Sequence, residues 1–316
     1  MLVAERFIVS DILAGMGIGV IDPHGDLLDA LLPHIPKERT NDVVLFDRTD
    51  RDYFPSFNVL HCPRPQERSL VASAVLTAFK KVFADSWGPR LEYYLRNALL
   101  AVLEMPDATL LTLFRFIANA QVRQMLARRI QNPIVRSVWL DEFPRKPVRL
   151  QEESLSPIQN KIGPLISSPI LCNIVGQPRG KIDLRTIMDS GKILLVNLSK
   201  GKLGDDVSQL LGAFLVSSIQ LAAMSRADQP PDQRQPFFLY VDEFQNIATE
   251  SFATILSEAR KYRLVLTVAN QYLDQLDDAT RSAVFGNVGS LVCFQTGATD
   301  AEILRKQLGK TSRTKI

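Results

Sequence analysis

Short apolar runs alternate with amphipathic stretches over both ends of the 316-residue chain. Uninterrupted apolar runs are typical of strands buried on both faces of a parallel sheet, and a spacing of three and four residues is typical of helices. The pattern predicts six strands, at 17–22, 42–46, 192–197, 237–241, 264–269 and 290–295. Helical patterns occur at 2–14, 26–32, 204–225, 250–262 and 299–308. This alternation predicts an α/β fold with a parallel sheet covered on both faces.

The alternation stops between the second and third strands. Helical patterns fill this part of the chain, at 66–84, 88–104, 109–118 and 121–130, and shorter proline-punctuated ones follow. We therefore divide the chain into a core, residues 1–63 and 182–316, and an all-helical insertion, residues 64–181. Residues 64–181 contain 17 Lys and Arg against 9 Asp and Glu, a net charge of +8, whereas the remainder carries −5.

A basic surface confined to one part of a chain is typical of proteins that bind nucleic acid, because Lys and Arg neutralise phosphates. The helical patterns of the insertion carry the candidate DNA contacts Arg90, Arg96, Arg123, Arg128 and Arg129. A solvated face on a helical bundle is the better explanation of any single arginine. The charge of the whole insertion therefore indicates a DNA contact more strongly than any of its residues does.

Candidate chemistry lies where two apolar runs end. The run FFLYV is followed by Asp242 and Glu243, and the run LVLTVA by Asn270 and Gln271. Open α/β sheets bind ligands at the carboxyl ends of their strands. In phosphoryl-transfer ATPases a first acid there holds Mg²⁺, and a second group can orient the attacking water. Two solvated acids that end a strand are the alternative.

The glycine-rich phosphate loop, G-x-x-x-x-G-K-[ST], has no match in the sequence. The only GKT triplet, Gly309–Thr311, follows a helical pattern, and Gly15, Gly17 and Gly19 end a helix and begin a strand. Only half of an ATP site is therefore visible. No stretch of about 18 uncharged apolar residues occurs either, so the sequence predicts no membrane-spanning segment.

Six segments together carry a family resemblance: IDPHGDLLDALLP, WGPRLEYYLRNALLAVLE, SSPILCNIVGQP, KILLVNLSKGKLGDD, FFLYVDEFQNIATESFATILSEARKYRLVLTVANQYLDQL and FGNVGSLVCFQTGATDAE. In this order they resemble the cytosolic motor part of the type IV secretion coupling proteins, the TraG/TraD-type ATPases of the HerA/FtsK-like superfamily. The resemblance covers about residues 5–305. It implies a RecA-like P-loop NTPase core with an inserted all-α domain, and a hexameric ring that moves DNA through its channel during conjugation.

The resemblance also implies roles for single residues. Asp242 would hold Mg²⁺, Glu243 would act on the hydrolytic water, and Gln271 would sense the γ-phosphate. Arg260 would be an arginine finger that reaches the nucleotide of a neighbouring subunit, a role that Lys261 or Arg263 could also fill.

Asp22 ends the first predicted strand and would lie near the same nucleotide. An acid that caps the turn at Pro23 explains Asp22 equally well.

The implied cofactors are ATP and Mg²⁺, and the implied partners are DNA, five further copies of the chain in a homo-hexamer, and type IV secretion or relaxosome components. The implied location is the cytoplasm, at the inner face of the membrane if partners or an anchor hold the protein there. In the family, a strand and the phosphate loop stand directly before the helix that begins near Leu2. We therefore expect a truncated form that hydrolyses ATP poorly on its own.

Two other functions remain open. The insertion could dock proteins, as in secretion-pilus assembly ATPases that move no DNA. Alternatively, the chain could be a non-catalytic nucleic-acid-binding or ring-interaction protein derived from the motor. DNA binding separates the first alternative from a DNA motor, and the effect of Glu243→Gln on turnover separates the second.

Overall fold

The computed structural model describes residues 2–47, 56–178, 180, 182–199 and 204–308. Residues 200–203 of the segment KILLVNLSKGKLGDD, and the GKT triplet at 309–311, lie outside these ranges.

A parallel sheet of five strands forms the centre of the fold. The strands are β1 (Gly17–Asp22), β2 (Val43–Phe46), β3 (Ile193–Asn197), β4 (Phe237–Val241) and β5 (Leu264–Val268). Their order is β2-β3-β1-β4-β5, and every neighbouring pair is parallel. The first five strands expected from the apolar runs are therefore confirmed, and β1, buried along its whole length, lies at the centre.

The sixth expected strand is wrong. Residues 290–295 form neither a helix nor a strand, and Val292 and Phe294 are 61% and 70% exposed. An apolar, β-branched run satisfies the local preference for a strand, but a strand also needs a neighbour that accepts its backbone hydrogen bonds. In the part of the chain that the structure describes, the sheet ends at β5.

Helices cover both faces of the sheet. On one face lie α1 (Leu2–Leu13) and α2 (Asp26–Leu31), which bury Ile8, Ile12 and Leu28 against Ile193 and Leu195 of β3. The alternate residues of β3, Leu194 and Val196, belong to the larger apolar cluster on the other face. This alternation follows from the two-residue repeat of a strand, and it explains why the strand is apolar throughout.

The long helix α11 (Asp205–Ser225) belongs to the larger cluster. Contrary to the expectation from the sequence, the segment Asp205–Asp228 is long and apolar enough to cross a membrane by length and composition, but 67% of its apolar window is buried inside the protein. A Cβ atom on Gly212 would lie 2.5 Å from Cγ2 of Ile247. The helix therefore approaches the segment that follows β4 more closely than any side chain would permit.

Between Phe46 and Ile193, no residue that the structure describes is in a strand. The helices there are α3 (Arg68–Val82), α4 (Pro89–Val102), α5 (Leu110–Ala118), α6 (Ala120–Ala127), α7 (Pro133–Ser137), α8 (Val148–Ser167), α9 (Pro169–Val175) and α10 (Leu184–Asp189). A π-helical turn, Val138–Glu142, follows α7. Three helices follow β4 in the chain: α12 (Glu250–Glu258), α13 (Asp278–Asn287) and α14 (Ala298–Leu308).

Aromatic packing holds the helical region together and joins it to the sheet. The ring of Trp139 lies 4.9 Å from Phe116 and 5.9 Å from Tyr94, measured between ring centroids. Phe79 of α3 packs edge-on against Phe214 of α11, with 5.4 Å between centroids. The helical region and the core therefore share one continuous apolar interior, although the periodicity separates them in the sequence.

Candidate functional site

Neighbouring strands bring two acids together at the carboxyl edge of the sheet. Ile21 pairs with Val241, so Asp22 at the end of β1 lies beside Asp242, which follows β4. The backbone N–H of Asp242 donates to the Ile21 carbonyl at 3.1 Å and continues the ladder by one step. Asn197 ends β3 on the other side of Asp22. These side chains therefore occupy the edge at which open parallel sheets bind ligands.

Asp22 is 1% exposed, and its carboxylate is fully engaged with the backbone. Its oxygens accept the N–H groups of His24 at 2.8 Å, Leu27 at 2.9 Å and Leu28 at 3.2 Å. It thereby satisfies donors in the turn and in the first turn of α2, which lack partners within the helix. These hydrogen bonds are the ones expected of the turn-capping acid considered from the sequence, and they hold a negative charge beside Asp242.

Asp242 is the acid of this edge that is best placed to hold a cation. Burial raises its carboxyl pKa, the N–H of Glu243 lowers it, and the charges of Asp22 and Glu243 raise it further. A divalent cation would relieve this repulsion. No group of three or more His, Cys, Asp or Glu residues suited to a metal occurs within the described ranges. A Mg²⁺ ion here would thus take its other ligands from phosphate oxygens and water, as it commonly does.

Glu243 has an unusual backbone and a well-held side chain. Its φ is +49°, a left-handed conformation that is uncommon for a residue with a side chain and clusters at functional sites. One carboxylate oxygen accepts Nε2 of Gln271 at 2.7 Å, and the other accepts Nε2 of Gln245 at 2.5 Å. The N–H of Phe244 donates to the Ala269 carbonyl at 3.0 Å, so the turn after β4 is also tied to the end of β5.

Gln245 is a residue of this site that was not predicted from the sequence. It is 6% exposed, and its Oε1 atom is buried without a hydrogen-bond partner in the described structure. The only available signal was a second amide residue two positions after Glu243, which turn formation alone could explain. Together Gln245 and Gln271 fix the direction of the Glu243 carboxylate.

Arg260 lies at the opposite edge of the sheet. It is an exposed residue of the 3₁₀ turn Ala259–Tyr262, which precedes β5, whereas Gln271 follows β5. Five residues of strand span about 16 Å, so Arg260 is well separated from Asp242 and Glu243 of its own chain. The Arg260 side chain is exposed at this end of the sheet.

The five candidate DNA contacts differ in exposure: Arg90, Arg128 and Arg129 are exposed, whereas Arg96 and Arg123 are partly buried. Arg90 pairs with Glu153 at 3.8 Å, Arg96 pairs with Glu92 at 3.7 Å, and the guanidinium of Arg123 lies 5.0 Å from the centre of the Phe143 ring. Arg123 also donates to the Ile117 carbonyl at 2.9 Å, and burial lowers its pKa. Arg123 is thus part of the helical packing. Arg128 and Arg129, which directly follow α6, are exposed.

Residues 236–315 match the family model described as the TraM recognition site of TraD and TraG. The resemblance to the type IV coupling proteins is confirmed. The matched segment contains Asp242, Glu243, Arg260 and Gln271, the residues whose roles that resemblance implies. Among curated proteins, sequence comparison finds no match.

Solved structures of coupling proteins share the fold. TrwBdeltaN70, a bacterial conjugative coupling protein, superposes with a TM-score of 0.60 at 16% identity, over 96% of this chain and 63% of that one. TrwB in complex with the non-hydrolysable ATP analogue ADPNP gives a TM-score of 0.65 at 16% identity, over 94% and 67%. This chain therefore spans about two thirds of the length of TrwB.

VirB4 of Thermoanaerobacter pseudethanolicus is also similar, with a TM-score of 0.60 at 15% identity over 98% of this chain and 77% of that one. The expected fold class, an α/β core of RecA-like architecture with a parallel sheet and a helical domain, is confirmed by these likenesses. TrwB has also been solved with ADP and Mg²⁺.

Proposed function

We propose that this chain is the motor core of a coupling protein that uses ATP to move DNA in conjugation or type IV secretion. The observation that carries the proposal is the division of the sheet into two functional edges. Acids and amides gather at the carboxyl ends of β1, β4 and β5, and an exposed arginine precedes β5 at the amino edge. In a ring of copies, one subunit's amino edge could face the next subunit's carboxyl edge.

In this proposal ATP and Mg²⁺ bind at the carboxyl edge, where the nucleotide supplies the phosphoryl group and the metal neutralises its charge. Asp242 holds the metal. Glu243 orients the attacking water, and its direction is fixed by the amides of Gln245 and Gln271. The sequence contains no phosphate-loop motif, so the residues of this chain contribute the metal ligand and the hydrolytic acid and not the phosphate cradle.

Arg260 acts on the nucleotide of a neighbouring subunit, and the working form is a homo-hexamer. The distance between the two edges supports action between subunits, because Arg260 is far from the acids of its own chain. DNA contacts the helical insertion, residues 64–181, through Arg128 and Arg129. Relaxosome or secretion components deliver the substrate at the inner face of the membrane.

Turnover and subunit mixing test the catalytic roles. ATP hydrolysis is measured with and without DNA for the unchanged chain, Glu243→Gln, Arg260→Gln and the control Glu302→Gln, an exposed acid on α14. The unchanged chain should show a low turnover, both site variants should lose it, and the control should keep it. Mixing the two inactive variants should restore part of the activity, because each supplies the residue that the other lacks. Turnover that survives Glu243→Gln would favour a non-catalytic chain with a contaminating hydrolase.

The similarity to VirB4 over 98% of the chain favours a second candidate, an assembly ATPase that moves no DNA. Fluorescence anisotropy with labelled DNA over a range of salt concentrations separates the two. In a DNA motor, Arg128→Gln with Arg129→Gln should weaken binding and reduce the salt slope by about two. The control removes two exposed charges of α14, by Arg305→Gln with Lys306→Gln. If the unchanged chain binds no DNA, the assembly ATPase is the better description.

A further inference from the structure

A continuous chain of ion pairs runs along the amino edge of the sheet, away from the candidate nucleotide site. Asp228 accepts Arg64 at 3.1 Å and Arg185 at 2.8 Å. Arg185 also contacts Asp189 at 2.5 Å, and Asp189 contacts Arg226 at 2.8 Å. We call these five side chains the charge relay: Arg64, Asp228, Arg185, Asp189 and Arg226.

One end of the charge relay holds the loop that carries Arg260. The side chain of Arg226 is completely buried, and its Nη1 atom donates to the Tyr262 carbonyl at 3.0 Å. Arg234, 8% exposed, donates to the neighbouring carbonyl of Lys261 at 2.5 Å, and its guanidinium lies 5.7 Å from the Tyr262 ring. Two buried guanidinium groups therefore fix the two peptide units that follow Arg260.

The other end of the charge relay holds both connections of the helical region. Arg64 lies before α3, where the chain leaves the core, and Arg185 belongs to α10, where the chain returns to it. Both donate to the same carboxylate, Asp228, whose pKa Arg185 lowers most. A cavity of about 420 Å³ lies between the connections and is lined by Arg64, Arg185 and Asp228. The connections therefore have room to move against this carboxylate.

Asp189 is shared between two arginines, so a movement of one arginine affects the ion pair of the other. Asp189 binds both Arg185 and Arg226, so a shift of Arg185 alters the carboxylate that neutralises Arg226. A fully buried guanidinium that loses its carboxylate partner is destabilised, so Arg226 either moves with Asp189 or becomes less buried. Asp228 and Arg226 also belong to the same 3₁₀ turn, Arg226–Asp228, which gives a second route to the loop.

We propose that the charge relay couples the position of the helical region to the loop of Arg260. Arg226 and Arg234 are positioning residues for Arg260, and Asp228 is the point at which the two connections act. The effect on ATP hydrolysis rests on the proposed role of Arg260. The structural coupling between the helical region and the loop of Arg260 does not. In a ring, DNA that displaces the helical region would thereby change the position of Arg260 relative to the nucleotide of the neighbouring subunit.

Hydrogen–deuterium exchange of the whole chain measures this coupling without any activity. Asp228→Asn should raise the exchange of the amides at 259–263 about threefold, together with those at 183–189. The matched control is Glu67→Gln, which removes the other partner of Arg64, at 2.8 Å, but lies outside the charge relay. It should raise exchange only near 64–68.

Unchanged exchange at 259–263 in Asp228→Asn, with raised exchange at 183–189, would show that the ion pairs end at α10 and would overturn the proposal. Arg64→Gln removes the ion pair to Asp228 at the connection before α3, and it should also raise the exchange of the amides at 259–263. A final comparison adds DNA to the unchanged chain and to Asp228→Asn. If DNA does not bind, the proposed function fails, but the result of Asp228→Asn still decides whether the relay couples the two regions.

Discussion

The amide of Gln271 donates to the carboxylate of Glu243 at 2.7 Å and joins the segments that follow β4 and β5. The two residues are far apart in the sequence and meet because β4 and β5 are paired in register, from Phe237 with Leu264 to Val241 with Val268. The hydrogen bond gives the acid a fixed direction, and the Gln271 side chain is otherwise exposed.

Gln271→Ala should lower ATP turnover about tenfold or more without changing stability by more than about 0.5 kcal/mol. A carboxylate that loses one of its two amide donors samples more directions, and small misplacements of a catalytic group cost large factors in rate. Single-turnover hydrolysis and urea unfolding give the two numbers. Asn270→Ala is the control, since Asn270 donates to the Tyr272 carbonyl and not to Glu243. Equal losses in both variants would argue against a specific role for Gln271.

Gly212→Ala should destabilise the protein by about 1–3 kcal/mol, because the added methyl group would lie 2.5 Å from Ile247 and the segment after Glu243 would have to shift. Urea denaturation checks the free energy of unfolding. Gly286→Ala is the matched control, in helix α13, where a Cβ atom meets nothing within 4 Å. It should be neutral or stabilising by up to about 1 kcal/mol. Similar effects from both glycines would contradict the close approach of α11.

Arg123 and Arg128 should respond oppositely to the same substitution. Arg123→Gln removes the contact with Phe143 and the hydrogen bond to the Ile117 carbonyl, and should lower stability by about 1–3 kcal/mol. Arg128→Gln should leave stability within about 0.5 kcal/mol and weaken DNA binding instead. Thermal unfolding and anisotropy distinguish them. A stable Arg123→Gln variant with weakened DNA binding would return Arg123 to the DNA-contacting surface.

The contribution of Glu142 to stability should depend on pH. The hydrogen bond from the Tyr93 hydroxyl, 2.6 Å long, is the main cause that lowers the Glu142 pKa, and the same contact raises the pKa of Tyr93 to about 12. A carboxyl group whose pKa is lowered by folding stabilises the protein above its unfolded pKa and loses that effect as pH falls through the folded value.

Glu142→Gln should therefore be less stable than the unchanged protein at pH 7, by less than about 1 kcal/mol because the site is partly exposed. The difference should shrink as the pH falls below the ordinary glutamate value of 4.5. Urea unfolding at several pH values measures it. Asp141→Asn removes the exposed neighbouring acid and is the control for the loss of one negative charge in this turn. A difference that grows toward low pH would contradict the assignment.

Local pattern was sufficient where one strand or one helix decides the outcome. The apolar runs predict β1 to β5 because a strand buried on both faces must be apolar at every position. The place of Asp242 and Glu243 at the carboxyl edge follows from chain direction alone. The same reasoning failed at 290–295, because whether an apolar run becomes a strand depends on a partner that the run itself does not specify.

The sequence by itself determined the parallel α/β architecture, the helical region between β2 and β3 and the acids that follow β4. Each of these features depends on a pattern of residues that are close together in the sequence. Tertiary structure alone decided that Gln245 and Gln271 hold Glu243, that Arg123 packs inward while Arg128 is exposed, and that Arg260 lies at the far edge of the sheet. Some of these relationships join residues that are distant along the chain. Others concern nearby residues of the same type whose side chains point in different directions. Local periodicity carries no information about them, because packing between elements sets which side chains meet.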